Sequence, residues 1–284
     1  MIPAAFEYHR PKDVGGVIAL LQQHGDEARV VAGGHSLIPM MKLRMTDVQH
    51  LVDLQDVAGL GGIQVAGEQI TIGAMVTQHM LINNADLTEA APILKEAALQ
   101  IADPQVRYMG TIGGNVANGD PGNDMPALML CLGATYTLTG PNGTRKVAAR
   151  DFYEAAYVTV REDSELLTQL TFAAPKGGYA YEKQKRKIGD YATAAAAVQI
   201  AREGGLCVAA SVSMTNLSDV PVWSKAAGAA LVGTDCGPAA IRAAVDAALK
   251  DINPTEDNRG PVEFKRHVAK TVIGRAIARA WSRS

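Results

Sequence analysis

The chain has 284 residues, 48% of them hydrophobic and 20% charged, with a formal net charge of −2. That length exceeds one small core and accommodates two domains, while the near-neutral balance gives no electrostatic basis for binding nucleic acid. The first residues lack a basic segment followed by an apolar one, and no apolar run approaches the ~20 residues that cross a bilayer, so the expected location is cytoplasmic.

Asp13 is placed to cap a helix whose Val14, Ile18 and Leu21 share one face, with Gly25 at its end. Residues 28–31 read as a short buried strand running into Gly33-Gly34, and residues 51–54 as another. Residues 63–65 and 70–72 alternate around Gly67-Glu68, which predicts a β-hairpin. Residues 92–101 predict a helix, with Ile93, Ala97 and Ile101 on one stripe. A loop rich in Gly, Asn and Asp leads to a short apolar helix over 125–132. Strands at 134–138 and 145–148 flank the Pro141-Asn142-Gly143 turn, and 165–172 closes the region as a further strand.

Pro175-Lys176-Gly177-Gly178 separates two strand patterns and marks a domain boundary. Beyond it, 192–201 and 206–217 read as long strands joined at Glu203-Gly204-Gly205. Helices are expected at 222–231, 238–249 and 262–281. In the last, Phe264, Val268, Val272, Ile273, Ile277 and Trp281 form the apolar stripe, and Lys265, Arg266, Lys270, Arg275 and Arg279 a solvated basic face. The fold class is α+β, a mixed N-terminal region followed by a smaller domain of sheet and helices.

Three cysteines, Cys131, Cys207 and Cys236, stand far apart in no CxxC spacing, so the chain cannot supply the clustered thiolates of an iron–sulfur or cysteine zinc site. Cys131, in an apolar run, reads as a buried and inert thiol. The six histidines form no HExxH or paired spacing, and no protein-bound metal is expected. Met40, Met41, Met75, Met80, Met109, Met125 and Met129 read as core filling.

Two glycine pairs carry the functional signal. The first is Ala32-Gly33-Gly34-His35-Ser36, leaving a strand; the second is Thr111-Ile112-Gly113-Gly114-Asn115, continuing to Asn118, Asn123 and Asp124. A pyrophosphate needs several N–H donors at about 2.8 Å with no Cβ in the way, and glycine pairs permit both that approach and the positive-φ turns that aim N–H groups inward. Ser36 and Thr111 add hydroxyls, and Asn115, Asn123 and Asp124 can bond ribityl or ribose hydroxyls. No GxGxxG follows a strand and no GxxxxGK[ST] occurs, which excludes a Rossmann site and a P-loop. One glycine pair alone is more often a tight turn; two such pairs with flanking hydroxyls favour a shared ligand.

The stretch from Val31 through Gly33-Gly34-His35-Ser36 to Arg44 resembles the first FAD signature of the molybdenum hydroxylase flavoproteins, the xanthine dehydrogenase family. Gly110-Thr111-Ile112-Gly113-Gly114-Asn115 through Asp120-Pro121-Gly122-Asn123-Asp124 to Ala127 resembles the second. Tyr181-Glu182-Lys183-Gln184-Lys185-Arg186 to Ala194 is similar to the start of the family's C-terminal domain. The resemblance implies a fold of the type shared with p-cresol methylhydroxylase and vanillyl-alcohol oxidase. Residues 1–177 would be the FAD-binding domain, with subdomains of about 1–56 and 57–177, and 178–284 the C-terminal domain. Ala32 to Ser36 and Thr111 to Asn115 would hold the pyrophosphate, Asp124 a sugar or ribityl hydroxyl, and Tyr191 would sit beside the isoalloxazine. Leu167 and Lys183 fall near positions that touch the cofactor. Read without the resemblance, Tyr191 is a half-buried packing residue and the basic stretch 183–187 a solvated patch.

The resemblance further implies a division of labour. An iron–sulfur small subunit would carry [2Fe-2S] clusters, a large subunit the molybdenum-pterin cofactor, and this chain FAD, the whole forming a dimer of heterotrimers. Electrons would pass from a cluster to FAD and on to a quinone or similar acceptor, with peripheral association of the complex on the inner face of the membrane. No residue of this chain would act as catalytic acid, base or nucleophile. Carbon monoxide is the substrate that the resemblance puts first, with purines, aldehydes or N-heterocycles as alternatives. A free-standing flavin oxidase and an FAD-free scaffold are the competing readings.

Overall fold

A computed structural model describes residues 2–284. The first unit comprises β1 (Glu7–His9), α1 (Val14–His24), β2 (Ala28–Val31), α2 (Leu37–Lys42) and β3 (His50–Asp53). Helix α1 forms where expected: the Asp13 carboxylate accepts from Gly16 N at 2.8 Å, and Gly25, at φ +49°, ends it. The three strands are parallel in the order β1-β3-β2. Strand β1 was not legible in sequence, because three residues give no periodicity and its partner lies over 40 positions away.

The second unit runs through β4 (Ile63–Ala66), β5 (Gln69–Gly73), α3 (Gln78–Asn83), α4 (Ala85–Ala90), α5 (Pro92–Ala98), α6 (Pro104–Met109), α7 (Ile112–Ala117) and α8 (Asp124–Cys131). It continues with β6 (Thr135–Gly140), β7 (Gly143–Ala148), the two-stranded ribbon β8 (Tyr153–Ala155) and β9 (Val158–Thr159), and β10 (Leu166–Ala173). A five-stranded antiparallel sheet, β4-β5-β10-β6-β7, lies under the short helices. Helix α8 is buried on every side, so it reads as apolar throughout rather than amphipathic. Burial also pushes the Cys131 thiol up to about 12, which makes it inert as expected.

The third unit is a four-stranded antiparallel sheet, β11 (Gly178–Gln184), β12 (Ala194–Glu203), β13 (Leu206–Thr215) and β14 (Val222–Trp223). Helices α9 (Lys225–Leu231), α10 (Pro238–Asp251) and α11 (Val262–Ser282) cover one face. On β12, Ala195 and Ala197 face the core of the second unit while Ala194, Ala196, Val198 and Ile200 face the helices. Burial on both faces explains a continuous apolar run where an alternating one would signal a solvated face.

Several expectations are corrected here. The helix expected over 222–231 begins only at Lys225, capped by the Ser224 hydroxyl, and Val222–Trp223 pairs with β13. The basic face of α11 is largely engaged: Lys265 is buried and pairs with Asp257 at 2.9 Å, and Arg266 donates to the Leu249 and Ile252 carbonyls. Arg279 reaches Glu96 on α5 and Glu182 on β11, and Arg283 adds a bond to Glu96 at 2.8 Å, which ties the third unit to the second. Phe264, assigned to the apolar stripe, is exposed, as are Met80 and Met109 among the methionines. Among the described residues no helix is long and apolar enough to cross a membrane.

Candidate functional site

The two glycine loops meet. Gly33 passes so close to the backbone of Met109 and Gly110 that a Cβ would lie 2.8 Å from Gly110 Cα and overlap the Met109 carbonyl. Gly34 turns at φ +73°, a conformation that disfavours any residue with a Cβ. Across the gap, a Cβ on Gly114 would lie 3.6 Å from Ala32 Cβ. Both loops thus border one cavity of about 720 Å³, within the range that holds a large organic cofactor.

Every candidate residue except Ile112 lines this cavity: Ala32, Gly33, Gly34, His35, Ser36, Thr111, Gly113, Gly114, Asn115, Asp124, Leu167, Lys183 and Tyr191. The Ile112 side chain is fully buried in the core below the loop. A second hollow of about 350 Å³ lies against Glu68, Thr135 and Thr171 at the far side of the five-stranded sheet and contains none of them.

The loops differ in how their N–H groups are used. In the second, Ile112 N donates to Val76 O at 2.8 Å, Gly113 N to Ala74 O at 2.9 Å, Gly114 N to Thr111 Oγ1 at 3.1 Å and Asn115 N to Thr111 O at 3.0 Å. The Thr111 hydroxyl therefore caps α7, and Gly113 is required because a Cβ there would lie 2.5 Å from Ala74 Cβ. In the first loop, the N–H groups of Gly33, Gly34, His35 and Ser36 meet no acceptor among the described residues. Free amides around a glycine turn form an anion-binding concavity. The second loop supplies a wall; the first supplies donors.

Asp124 opens α8 in a buried polar knot. Its carboxylate accepts from Tyr181 Oη at 2.5 Å and from Lys183 Nζ at 2.7 Å, and the Lys183 and Asp124 side chains are 1% and 5% exposed. Burial, with the Asp124 charge adding to it, raises the Tyr181 phenol well above its ordinary pKa. Lys183 also reaches Gln100 O, so β11 is locked to the second unit beneath the cavity. Asn115 joins the knot by accepting from Met125 N with its side chain and from Asn123 Nδ2 with its carbonyl.

Tyr191 stands at the mouth, 39% exposed. Partial burial raises its phenol pKa, with Asp120 adding and Arg259 opposing, and the Arg259 guanidinium lies 5.3 Å above its ring. Leu167 is buried on β10 beside an irregularity in the pairing with β6, where Thr168 O accepts instead from Ala74 N.

Sequence reasoning missed several lining residues. Gln78 is 1% exposed, borders the cavity, and neither atom of its side-chain amide has a partner among the described residues. An orphaned buried amide costs about 1–3 kcal/mol unless a ligand satisfies it. Arg29 and Arg161 also line the cavity, with guanidiniums that donate to the backbone carbonyls of Asp26 and Ala28 and of Glu162, Asp163 and Glu165, and the carboxylates of Asp163, Glu165 and Asp190 line it beside them. Nothing in the local sequence distinguishes Gln78 from any other glutamine at a helix start.

A cavity with a glycine turn of free amides at one wall and an orphaned amide has the donors that a phosphate-bearing ligand requires. Comparison with known proteins then places the chain. Residues 4–175 match the family described as the FAD binding domain in molybdopterin dehydrogenase, and residues 179–280 the CO dehydrogenase flavoprotein C-terminal domain. The chain is 54% identical to the carbon monoxide dehydrogenase medium chain of Afipia carboxidovorans, covering 100% of this chain and 99% of that one. It is 43% identical to the medium chain of the same name from Hydrogenophaga pseudoflava, with the same coverage. A crystal structure of Cu,Mo-CO dehydrogenase in a cyanide-inactivated form contains a chain that superposes with a TM-score of 0.98 at 54% identity, covering 100% of both chains. The chain belongs to the family of FAD-binding flavoproteins of the molybdopterin dehydrogenases.

Proposed function

We propose that this chain is the FAD-carrying electron-transfer subunit of a molybdenum-containing carbon monoxide dehydrogenase, which converts carbon monoxide and water to carbon dioxide. The observation that carries the reading is the pair of abutting glycine loops, with free amides on one side, over a cavity of about 720 Å³. The residues fit the cofactor: Gly33 to Ser36 would donate to its pyrophosphate, Gln78 would find a partner for its amide, and Tyr191 would flank its ring system. Arg29 and Arg161 would offset phosphate charge. Bound FAD supplies the step between one-electron and two-electron redox chemistry, while the chain binds, orients and shields it.

This reading extends to the assembly. An iron–sulfur subunit delivers electrons and a molybdenum-pterin subunit oxidises the substrate, in a dimer of such trimers that reduces a quinone and associates peripherally with the membrane. Three cysteines in all are too few to ligate a [2Fe-2S] cluster through four thiolates, which supports that division. The division at 177/178 that this reading carries is supported by the passage there from the sheet containing β10, which ends at Ala173, to the sheet that begins with β11 at Gly178.

The test is to purify the chain with its native partners, release cofactor by denaturation and assay carbon monoxide-dependent dye reduction. One FAD per chain with carbon monoxide turnover is the expected result. Flavin without such turnover would assign the chain to another hydroxylase of the family, and no flavin in the intact assembly would leave the scaffold reading in its place.

A further inference from the structure

Three histidines that sequence spacing keeps apart, His9, His24 and His50, converge in the first unit. His50 begins β3, which pairs in parallel with β1 on one side and β2 on the other, so Glu7 and Ala28 lie beside it. His24 is the last residue of α1. His9 Nε2 lies 3.1 Å from His50 Nδ1, and the His24 ring stacks on His50 with centroids 3.6 Å apart. One ring nitrogen from each histidine lies within 4.8 Å of the others, and all three residues are partly buried. Glu7 Oε2 stands 3.5 Å from His50 Nδ1.

We propose that this cluster binds one divalent transition-metal ion of the zinc type, through His9, His24 and His50 with Glu7 or water in the fourth position. Two nitrogens on a tetrahedral zinc ion at about 2.0–2.1 Å are separated by about 3.3 Å. The His9–His50 pair is already near that spacing, and a ring nitrogen of His24 lies within 4.8 Å of both. The site also sits at the C-terminus of α1, where unpaired carbonyls favour positive charge. Three imidazoles with one carboxylate select zinc, copper or nickel over magnesium or calcium, which take oxygen ligands.

The histidine cluster borders the wall of the cofactor cavity, which Gly25 and Ala28 line. None of the three histidines lines the cavity itself, and they lie at the His50–Ala28 end of the sheet, whereas the first glycine loop leaves from the Val31–Asp53 end. The ion would act as a staple joining β1, which has a single three-residue pairing, to α1 and β3.

The experiment titrates Zn²⁺ into the untagged full chain after chelator treatment, by calorimetry and by NMR of the imidazole resonances. One saturable equivalent is expected, moving the signals of His9, His24 and His50 and leaving those of His35, His79 and His267 in place. Loss of supporting partners alone weakens metal sites about 10–100-fold, so His24→Gln or His50→Gln should weaken binding by at least about 100-fold. Flavin content and the melting temperature in chelator should be unchanged in His24→Gln, which separates ligand loss from misfolding. Absence of a saturable equivalent in the wild-type chain, or equal affinity in both variants, overturns the proposal.

Discussion

The two glycine loops look alike in sequence and do different work. Each pairs two glycines with a hydroxyl residue and each borders the cavity, yet Ile112 to Asn115 uses its N–H groups on Val76, Ala74 and Thr111, while Gly33 to Ser36 keeps its own free. The second loop is part of the frame, continued through Asn115, Asn123 and Asp124 to Tyr181 and Lys183. The first is the contact surface built upon that frame. A glycine pair in sequence therefore reports close backbone approach, but what approaches is protein at one loop and ligand at the other.

The largest effect expected from breaking this comparison lies in the frame. Lys183→Met leaves the Asp124 carboxylate buried without its cation, a loss of about 3–5 kcal/mol in chains where one partner of a buried pair is removed. Urea unfolding should show that loss in the flavin-free chain as well as in the loaded one. An effect confined to the loaded chain would move Lys183 from the frame to the contact surface.

Substitution within the loops sharpens the contrast at smaller scale. Gly113→Ala forces a methyl against Ala74 in the core and should cost about 1–3 kcal/mol of stability with or without flavin. Gly34→Ala meets only the movable Ile38 side chain but imposes a positive φ on alanine, at about 1–2 kcal/mol. Its larger consequence should appear in flavin affinity, measured by fluorescence on titration with FAD.

The mildest perturbation is alkaline pH. The Tyr181 and Tyr153 phenols are raised well above 10.0, both mainly by burial. An unfolded chain loses these protons near 10 while the folded one keeps them, so the folded state binds more protons and stability falls as pH rises beyond about 10. Urea midpoints should be insensitive to these groups at about pH 8 and decline above about pH 10, and Tyr181→Phe should flatten that decline.

Local signals made much of the fold legible. The Asp13 cap and Gly25 stop bracket α1, the Gly67 and Pro141-Asn142-Gly143 turns place two hairpins, and the apolar run of α8 marks a fully buried helix. What stayed hidden depends on distant pairing. Strand β1 exists only because β3 lies beside it, and the same pairing gathers three histidines that share no motif spacing. Lys265 was assigned to a solvated face because its partner, Asp257, precedes the helix and breaks its periodicity. In the site, the glycine pairs were readable, but the orphaned Gln78 amide and the hydrogen-bonding state of each loop are set by β5 and the segment after it, which no spacing rule reaches.

Amide hydrogen exchange on the full chain, before and after saturation with FAD, tests the difference between the loops most directly. The amides of Gly33, Gly34, His35 and Ser36 should exchange quickly without the cofactor and slow when it binds, while those of Ile112 to Asn115 should be protected in both states. Protection gained at Gly113 to Asn115 with none at Gly33 to Ser36 would contradict the assignment of donors to the first loop and of the frame to the second.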